Sequence, residues 1–200
     1  MDIIGSLTAL IILSPLFLIM AIAIKLDSKG PILAETPKRA GIEGKLFRIY
    51  KFRSMVENAQ EMLDSNPKLL EEYKKNNYKI FNDPRVTRIG KFIRKYSIDE
   101  FPQLLNILIG EMSVVGPRAY YPYELEEQSE KYPLAPKYVK IILSGKPGLS
   151  GVWQVSGRSN INFEKRVEMD AKYVERRSIL YDLWIILKTI PAVLSGRGAV

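Results

Sequence analysis

Two adjacent carboxylates, Asp99 and Glu100, stand in the stretch RKYSIDEFPQLLNILIGEMSVVGPR, residues 94–118. Cationic residues precede them, and Arg118 follows in a Gly-Pro turn. An ionised carboxylate can attack phosphorus when cations offset its repulsion by the phosphate oxygens, a task suited to guanidinium forks and Mg2+. Lys51, Arg53, Arg85, Arg88, Arg94, Arg118 and Arg158 are the candidate cations, several of them in turns or at strand ends where side chains can converge. Composition narrows the alternatives. The chain has no Cys and no His, which excludes thiolate catalysis, disulfides, cysteine zinc sites, a Ser-His-Asp triad and an HExxH zinc site. Nucleophilic or acid–base work falls to Asp, Glu, Lys, Tyr, Ser or Thr. The sequence holds no G-x-G-x-x-G, no G-x-x-x-x-G-K-[ST] and no Asp-x-Asp pair of the kind that holds a metal–nucleotide.

The same carboxylates also suit a helix start. Ser97 with Glu100 three residues later makes a capping box; Asp99 as the cap places Pro102 in the first turn, where proline is tolerated. A helix amino terminus carries about half a positive charge and unpaired N–H groups, so it attracts phosphate and keeps an adjacent Asp ionised. Cap and nucleophile call for the same residue types.

The elements that must position these residues are short. PILAETPKRAGIEGKLFRIYKFRSM reads as two strands around a Gly-containing loop, a hairpin. VENAQEMLDSNPKLLEEYKKNNYK reads as two polar helices interrupted at Asn66-Pro67, a solvated excursion. After an Asp-Pro turn, Ile89, Phe92, Ile93 and Tyr96 share one helical face, with Lys91, Arg94 and Lys95 on the other side. Such a basic amphipathic helix suits an anionic membrane or a solvated surface. A helix through QLLNILI ends near Gly110, MSVV is a strand leading to Gly116-Pro117-Arg118, and GVWQV reads as a brief strand. Glu164 to Glu175 should be helical, and a last apolar helix starts near Ser178, with Tyr181 and Trp184 suited to a membrane interface or to a core.

From Ile3 to Ile24 the chain carries no charge. About 22 such residues are long enough to cross a bilayer. Ser14-Pro15 sits near the middle: proline removes a donor and disturbs the helix, and Ser14 can bond to a freed carbonyl. A kinked spanning helix, a re-entrant helix-break-helix and a buried core helix are the three readings. The segment does not read as a secretory signal, and the Lys/Arg excess after it puts the following domain in the cytoplasm. The net charge of +8 points to an anionic partner: nucleic acid, a membrane surface or a phosphorylated substrate.

SPLFLIMAIAIKLDSKGPI, GKLFRIYKFRSM, NDPRVTRIGKFIRK, SIDEFPQLLNILIGEMSVVGPR and PGLSGVWQVSGRSNINFEKRVEMDAKYV together closely resemble the bacterial sugar transferase family, in order and over nearly the whole chain. These are monotopic phosphoglycosyl transferases, which start exopolysaccharide, O-antigen lipopolysaccharide and glycoprotein glycans. The end of the chain looks more like the undecaprenyl-phosphate galactose or glucose type. The resemblance implies an α+β fold: a re-entrant membrane helix over residues 1–28, broken at Ser14 and Pro15, and a helix-rich catalytic domain over 29–200 with a β-hairpin and interfacial amphipathic helices. It implies a two-step reaction. Asp99 attacks the β-phosphate of a UDP-sugar and releases UMP, then polyprenol phosphate takes the phosphosugar from the enzyme. Glu100 falls to the acceptor phosphate or, with Asp99, to Mg2+ as cofactor. Arg118, and Arg158 of the Gln-Val-x-Gly-Arg motif, fall to substrate phosphates, with Lys51, Arg53, Arg85 and Arg94 as further phosphate-binding candidates.

The partners so implied are UDP-sugar, polyprenol phosphate and membrane lipid, with no nucleic acid and with a homodimer compatible. The place implied is the cytoplasmic face of a bacterial inner membrane. Ala119 and Pro37 depart from the family's usual residues, and the first Asp stands where basic residues usually precede, a departure compatible with a missing amino-terminal portion. A non-catalytic, membrane-anchored basic module binding anionic lipid or nucleic acid is the rival reading, and a glycosyltransferase releasing UDP is a third.

Overall fold

The uncharged run folds as one helix, α1 (Asp2–Asp27), in a computed structural model that describes residues 2–75, 80–157 and 161–195. Pro15 has no N–H to offer the Ile11 carbonyl four residues back. The Ser14 hydroxyl donates to that carbonyl at 2.8 Å, so the helix passes through the proline instead of separating into two as expected. Along one side, Ala9, Leu10 and Leu13 pack towards Phe47, Ile49, Leu104 and Ile107, while Leu16, Phe17, Met20 and Ile24 pack towards Phe52 and Ile93. On the other side Ile4, Ile11, Ile12, Leu18 and Ile19 are 58–75% exposed. A helix apolar all round but buried along one side calls for an apolar medium on the other. By length and composition it is long and apolar enough to cross a membrane. Yet both ends are tied to the same body. The Asp2 carboxylate accepts from the Val114 N–H at 3.3 Å, and the Asp27 carboxylate accepts from the Ile89 N–H at 2.9 Å.

Among the other described residues the chain forms two small sheets and a set of helices. β1 (Arg39–Ala40) pairs antiparallel with β2 (Leu46–Phe47) as the expected hairpin, Arg39 opposite Phe47. α2 (Ala59–Asp64) and α3 (Pro67–Lys75) meet at the Asn66-Pro67 interruption. α4 (Arg88–Lys95) is capped by the Thr87 hydroxyl, which accepts from the Gly90 N–H. Its expected apolar face divides: Ile89 and Ile93 pack on Phe52, Met20 and Ile24, whereas Phe92 stays exposed in edge contact with Tyr96. α5 (Gln103–Leu108) leads through Gly110, at φ +86, to β3 (Ser113–Val115). β3 pairs parallel with β4 (Gly148–Ser150), Ser113 opposite Gly148.

GVWQV was expected as a strand, but β4 ends before it, and α8 (Val152–Val155) is a helical turn. The ladder to β3 is completed by Gly148–Ser150, so the β-favouring Val and Trp have no strand left to join and tertiary context overrides their preference. α6 (Pro122–Lys131), α7 (Ala135–Ile142) and α9 (Phe163–Arg176) enclose a core of Leu125, Ala135, Ile142, Phe163, Val167 and Ala171. α10 (Ile179–Leu194) is capped by Ser178 and buries only Ile185, leaving Leu180, Trp184, Leu187 and Leu194 exposed, so it is not a core helix.

Candidate active site

Asp99 and Glu100 lie on a single 3-10 turn, Ile98–Glu100, between α4 and α5. Neither cap reading is realised. Ser97 sits at φ +54 with no side-chain cap bond, and α5 starts after Pro102, again without one. The left-handed conformation of a non-glycine Ser97 costs about 1 kcal/mol; it swings the chain so that Asp99 is buried while Glu100 keeps some exposure.

The chain following β2 delivers the partner cation. Phe52 N–H donates to the Asp99 carbonyl at 2.9 Å, which sets Lys51 beside the dyad. The Lys51 ammonium donates to Glu100 Oε1 at 2.6 Å and lies 3.9 Å from Asp99 Oδ2. Asn106, fully buried on α5, fixes this segment: its Oδ1 accepts from Tyr50 N–H at 2.9 Å and its Nδ2 donates to the Arg48 carbonyl at 2.7 Å.

The two carboxylates are pushed in opposite directions. Burial raises the Asp99 pKa to about 6; Lys51 and Arg94 pull it down and Glu100 pushes it up. Burial would raise Glu100 too, but the charge and hydrogen bond of Lys51, with Arg118 and Arg39 behind, hold it below the ordinary value. The expectation that a helix terminus keeps Asp99 readily ionised is therefore corrected: no helix begins at it, and its surroundings favour the proton. Paired acids driven apart in this way are a mark of catalytic sites.

A second group of cations lies beyond the dyad. The parallel β3–β4 pair aims Gly116-Pro117-Arg118, with Gly116 N–H donating to Ser150 O and Gly148 N–H to Pro117 O. The backbones come so close that a Cβ on Gly148 would stand 2.0 Å from Gly116 N, so only glycine fits. The buried Asp170 carboxylate on α9 accepts from Arg118 N–H at 2.9 Å and from the Tyr120 hydroxyl at 3.0 Å; burial raises its pKa to about 7. The Arg118 guanidinium lies 5.0 Å from the Trp153 ring centroid, and that of Arg166 lies 5.2 Å from it. Arg39 stacks 3.1 Å from the centroid of Tyr121 and donates to the Ala119 carbonyl at 3.2 Å.

Of the cations singled out from sequence, Lys51, Arg94 and Arg118 act electrostatically on the dyad. Arg53 does not join them: buried, it donates to the carbonyls of Ser28, Lys29 and Pro31 and clamps the exit of α1. Arg85 forks onto Asp83 at 2.7–3.2 Å and orders the turn before α4. Arg88 is exposed at the start of α4, and Arg158 lies outside the described residues. Arg39, Asn106, Trp153, Arg166 and Asp170 were missed. A lone Asn inside the apolar QLLNILI could have betrayed Asn106; nothing local marks Arg39 or Arg166.

No group of three or more His, Cys, Asp or Glu side chains gathers for a metal among the described residues. Two adjacent carboxylates, completed by substrate phosphate and water, are oxygen donors of the kind Mg2+ accepts, and Asp99 and Glu100 are the residues that would hold it.

Known proteins resemble this chain in sequence. The bacterial sugar transferase model matches residues 1–196. The exopolysaccharide production protein ExoY of Sinorhizobium fredii is 44% identical over 99% of this chain and 85% of its own length. An undecaprenyl-phosphate galactose phosphotransferase of Salmonella typhimurium is 42% identical over 99% of this chain but 40% of its own length. For a UDP-glucose:undecaprenyl-phosphate glucose-1-phosphate transferase of Klebsiella pneumoniae the figures are 38%, 94% and 38%. With the match spanning almost every residue described above, this chain belongs to the bacterial sugar transferase family.

Proposed function

We propose that the protein transfers a hexose 1-phosphate from a UDP-sugar to polyprenol phosphate, as the names of its galactose and glucose relatives suggest. The observation that carries the chemistry is the divided dyad: a buried Asp99 with a pKa near 6 beside a Glu100 held ionised by Lys51. At neutral pH Asp99 is mostly ionised, and its raised pKa makes it the more basic oxygen nucleophile of the two. An Asp99 oxygen attacks the β-phosphorus. The bond from that phosphorus to the bridging oxygen breaks, and UMP leaves with the bridging oxygen and its electron pair. An oxygen of polyprenol phosphate then attacks the same phosphorus and the Asp99 carboxylate is released. Lys51 and Arg94 lie where they can offset charge on the transferred phosphoryl group, and Arg118 where it can grip a neighbouring phosphate. Mg2+ bound to Asp99 and Glu100 would add further neutralisation of phosphate charge.

The test is product identity. Purified protein given UDP-galactose or UDP-glucose with polyprenol phosphate should release UMP, and without acceptor it should retain a labelled phosphosugar on Asp99. Release of UDP would support an ordinary glycosyltransferase, and no nucleotide release from any UDP-sugar would support the non-catalytic module.

The same reading makes α1 re-entrant, entering and leaving a cytoplasmic membrane by its cytoplasmic face. Support comes from the ties at both ends, Asp2 to β3 and Asp27 to α4, which hold both ends of α1 against one body; the bend that re-entrance requires falls at Pro15, within a helix that continues past it. The exposed apolar side of α1 and that of α10 would then meet lipid on the side that offers the polyprenol head group. Because the chain has no native Cys, single cysteines at Asp2 and at exposed Glu126 can be labelled in sealed, right-side-out spheroplasts. Both should resist an impermeant thiol reagent; labelling at Asp2 alone would overturn re-entrance.

A further inference from the structure

Arg39, Arg118 and Arg166 come from β1, the Gly-Pro-Arg turn and α9, yet they converge. Arg118 depresses the pKa of both Arg39 and Arg166, after burial itself, which places the three charges within reach of one another. Trp153 carries two of the guanidiniums on its ring and Tyr121 the third. The Nε atoms of all three arginines are buried and have no hydrogen-bond partner, although Arg39 as a whole is only 9% exposed. Two acids offset the three charges only in part: Glu124 stands 3.9 Å from Arg166, beyond hydrogen-bond range, and the buried Asp170 spends Oδ2 on a backbone N–H and a tyrosine hydroxyl while its Oδ1 has no hydrogen-bond partner. Arg166 also donates to the Ile161 carbonyl at 3.0 Å, which leaves its Nε idle. Buried like charges with idle donors are unfavourable unless an anion completes them. Three planar forks, two of them laid on one indole, make a rigid seat for a tetrahedral oxyanion rather than a single point charge.

We propose that these three arginines form a second phosphate seat, distinct from the dyad, that takes the phosphate of the leaving nucleoside monophosphate. The inference rests on the donor reaction assigned above, in which one phosphorus of a diphosphate is attacked and the other departs. Lys51 and Arg94 serve the attacked phosphorus beside Asp99. Arg39, Arg118 and Arg166 serve the departing one, and Trp153 is a positioning residue that lets Arg118 and Arg166 share a site. With a guanidinium already about 5 Å from its centroid on two counts, the indole is a platform for cations before it is one for a base.

The probe is UMP, with uridine as the phosphate-free control, in equilibrium dialysis against the purified full chain. Arg39→Lys and Arg166→Lys keep charge and stem but lose the fork, and each should weaken UMP about tenfold while uridine binding stays unchanged. Arg176→Lys, at an exposed arginine on the last turn of α9, should bind UMP as the unaltered protein does. UMP affinity within twofold of the unaltered protein in both Arg39→Lys and Arg166→Lys would overturn the seat. So would an equal loss for uridine, or an equal loss in Arg176→Lys. Should Arg166→Lys fail to fold, judged by its circular dichroism and melting, Arg39→Lys decides alone. If the unaltered protein bound no UMP the seat would fall as well, and UMP release from a UDP-sugar in the same preparation would show whether the donor reaction falls with it.

Discussion

The dyad and the arginine group solve opposite electrostatic problems a short distance apart. At the dyad, two acids adjacent in sequence share one ammonium, and Lys51 stands 2.6 Å from one and 3.9 Å from the other. That unequal sharing, added to burial, leaves one carboxylate easily ionised and the other reluctant. At the arginine group, three cations far apart in sequence converge, Arg39 buried and Arg118 and Arg166 partly so, with Glu124 and Asp170 as the acids beside them; the proposed seat leaves the remaining charge for a substrate phosphate. The first region is built to react and the second to hold. A reacting group needs its affinity for a proton tuned, which one well-placed neighbour can do. A holding group needs several forks fixed at once, which takes a strand, a turn and a helix.

The largest effect should come from removing the reactive side alone. Asp99→Asn keeps shape and most hydrogen bonding but loses the nucleophile, and turnover should fall roughly 10⁴-fold or more. The fold should not suffer. Asp99 has a folded pKa near 6, above its ordinary value, so the folded state prefers the protonated acid. The stability this provides is present in full at low pH and disappears as pH rises through about 6. At pH 8 the ionised group is a liability that the amide removes. The variant should melt at the same temperature as the unaltered protein or higher at pH 8, with the gap narrowing towards pH 4. A lower melting temperature at pH 8 would mean that Asp99 is held for structure rather than for chemistry.

Legibility in the sequence followed the same division. The dyad is two neighbouring letters, and the hairpin, the polar excursion, the Gly110 stop and the Ser178 cap each rest on local patterns that survive tertiary packing. Failures came where distant partners decide. GVWQV has strand-forming residues, but the ladder ends at Ser150 and the next turn coils to bring Trp153 under Arg118 and Arg166. Ser97 and Asp99 are good caps by type, yet the chain needs the turn Ile98–Glu100 to bury the acid. Arg53 and Arg85 looked free to grip phosphate because sequence cannot show that the carbonyls of residues 28–31, or Asp83, engage them. For the same reason Arg39 and Arg166 were not singled out: their company is assembled only by the fold.

A finer test separates the regions by their response to pH. The unaltered enzyme should lose kcat/KM as pH falls through about 6, because attack needs the Asp99 carboxylate. Lys51 is the strongest influence pulling that acid down, and it also holds Glu100 ionised. Lys51→Met, which keeps the aliphatic stem, should therefore move the acidic limb to higher pH and reduce the rate more at pH 6 than at pH 8.5. Arg166→Lys should lower kcat/KM by a similar factor at every pH and leave the limb where it is. The largest influences on Asp99 are burial and then Lys51, Glu100 and Arg94, and Arg166 is not among them. The measurement is a pair of pH–rate profiles from pH 5 to 9 at saturating acceptor. A limb that stays put in Lys51→Met would remove Lys51 from the tuning of the nucleophile. A limb that moves in Arg166→Lys would mean that the seat and the dyad are electrostatically one site.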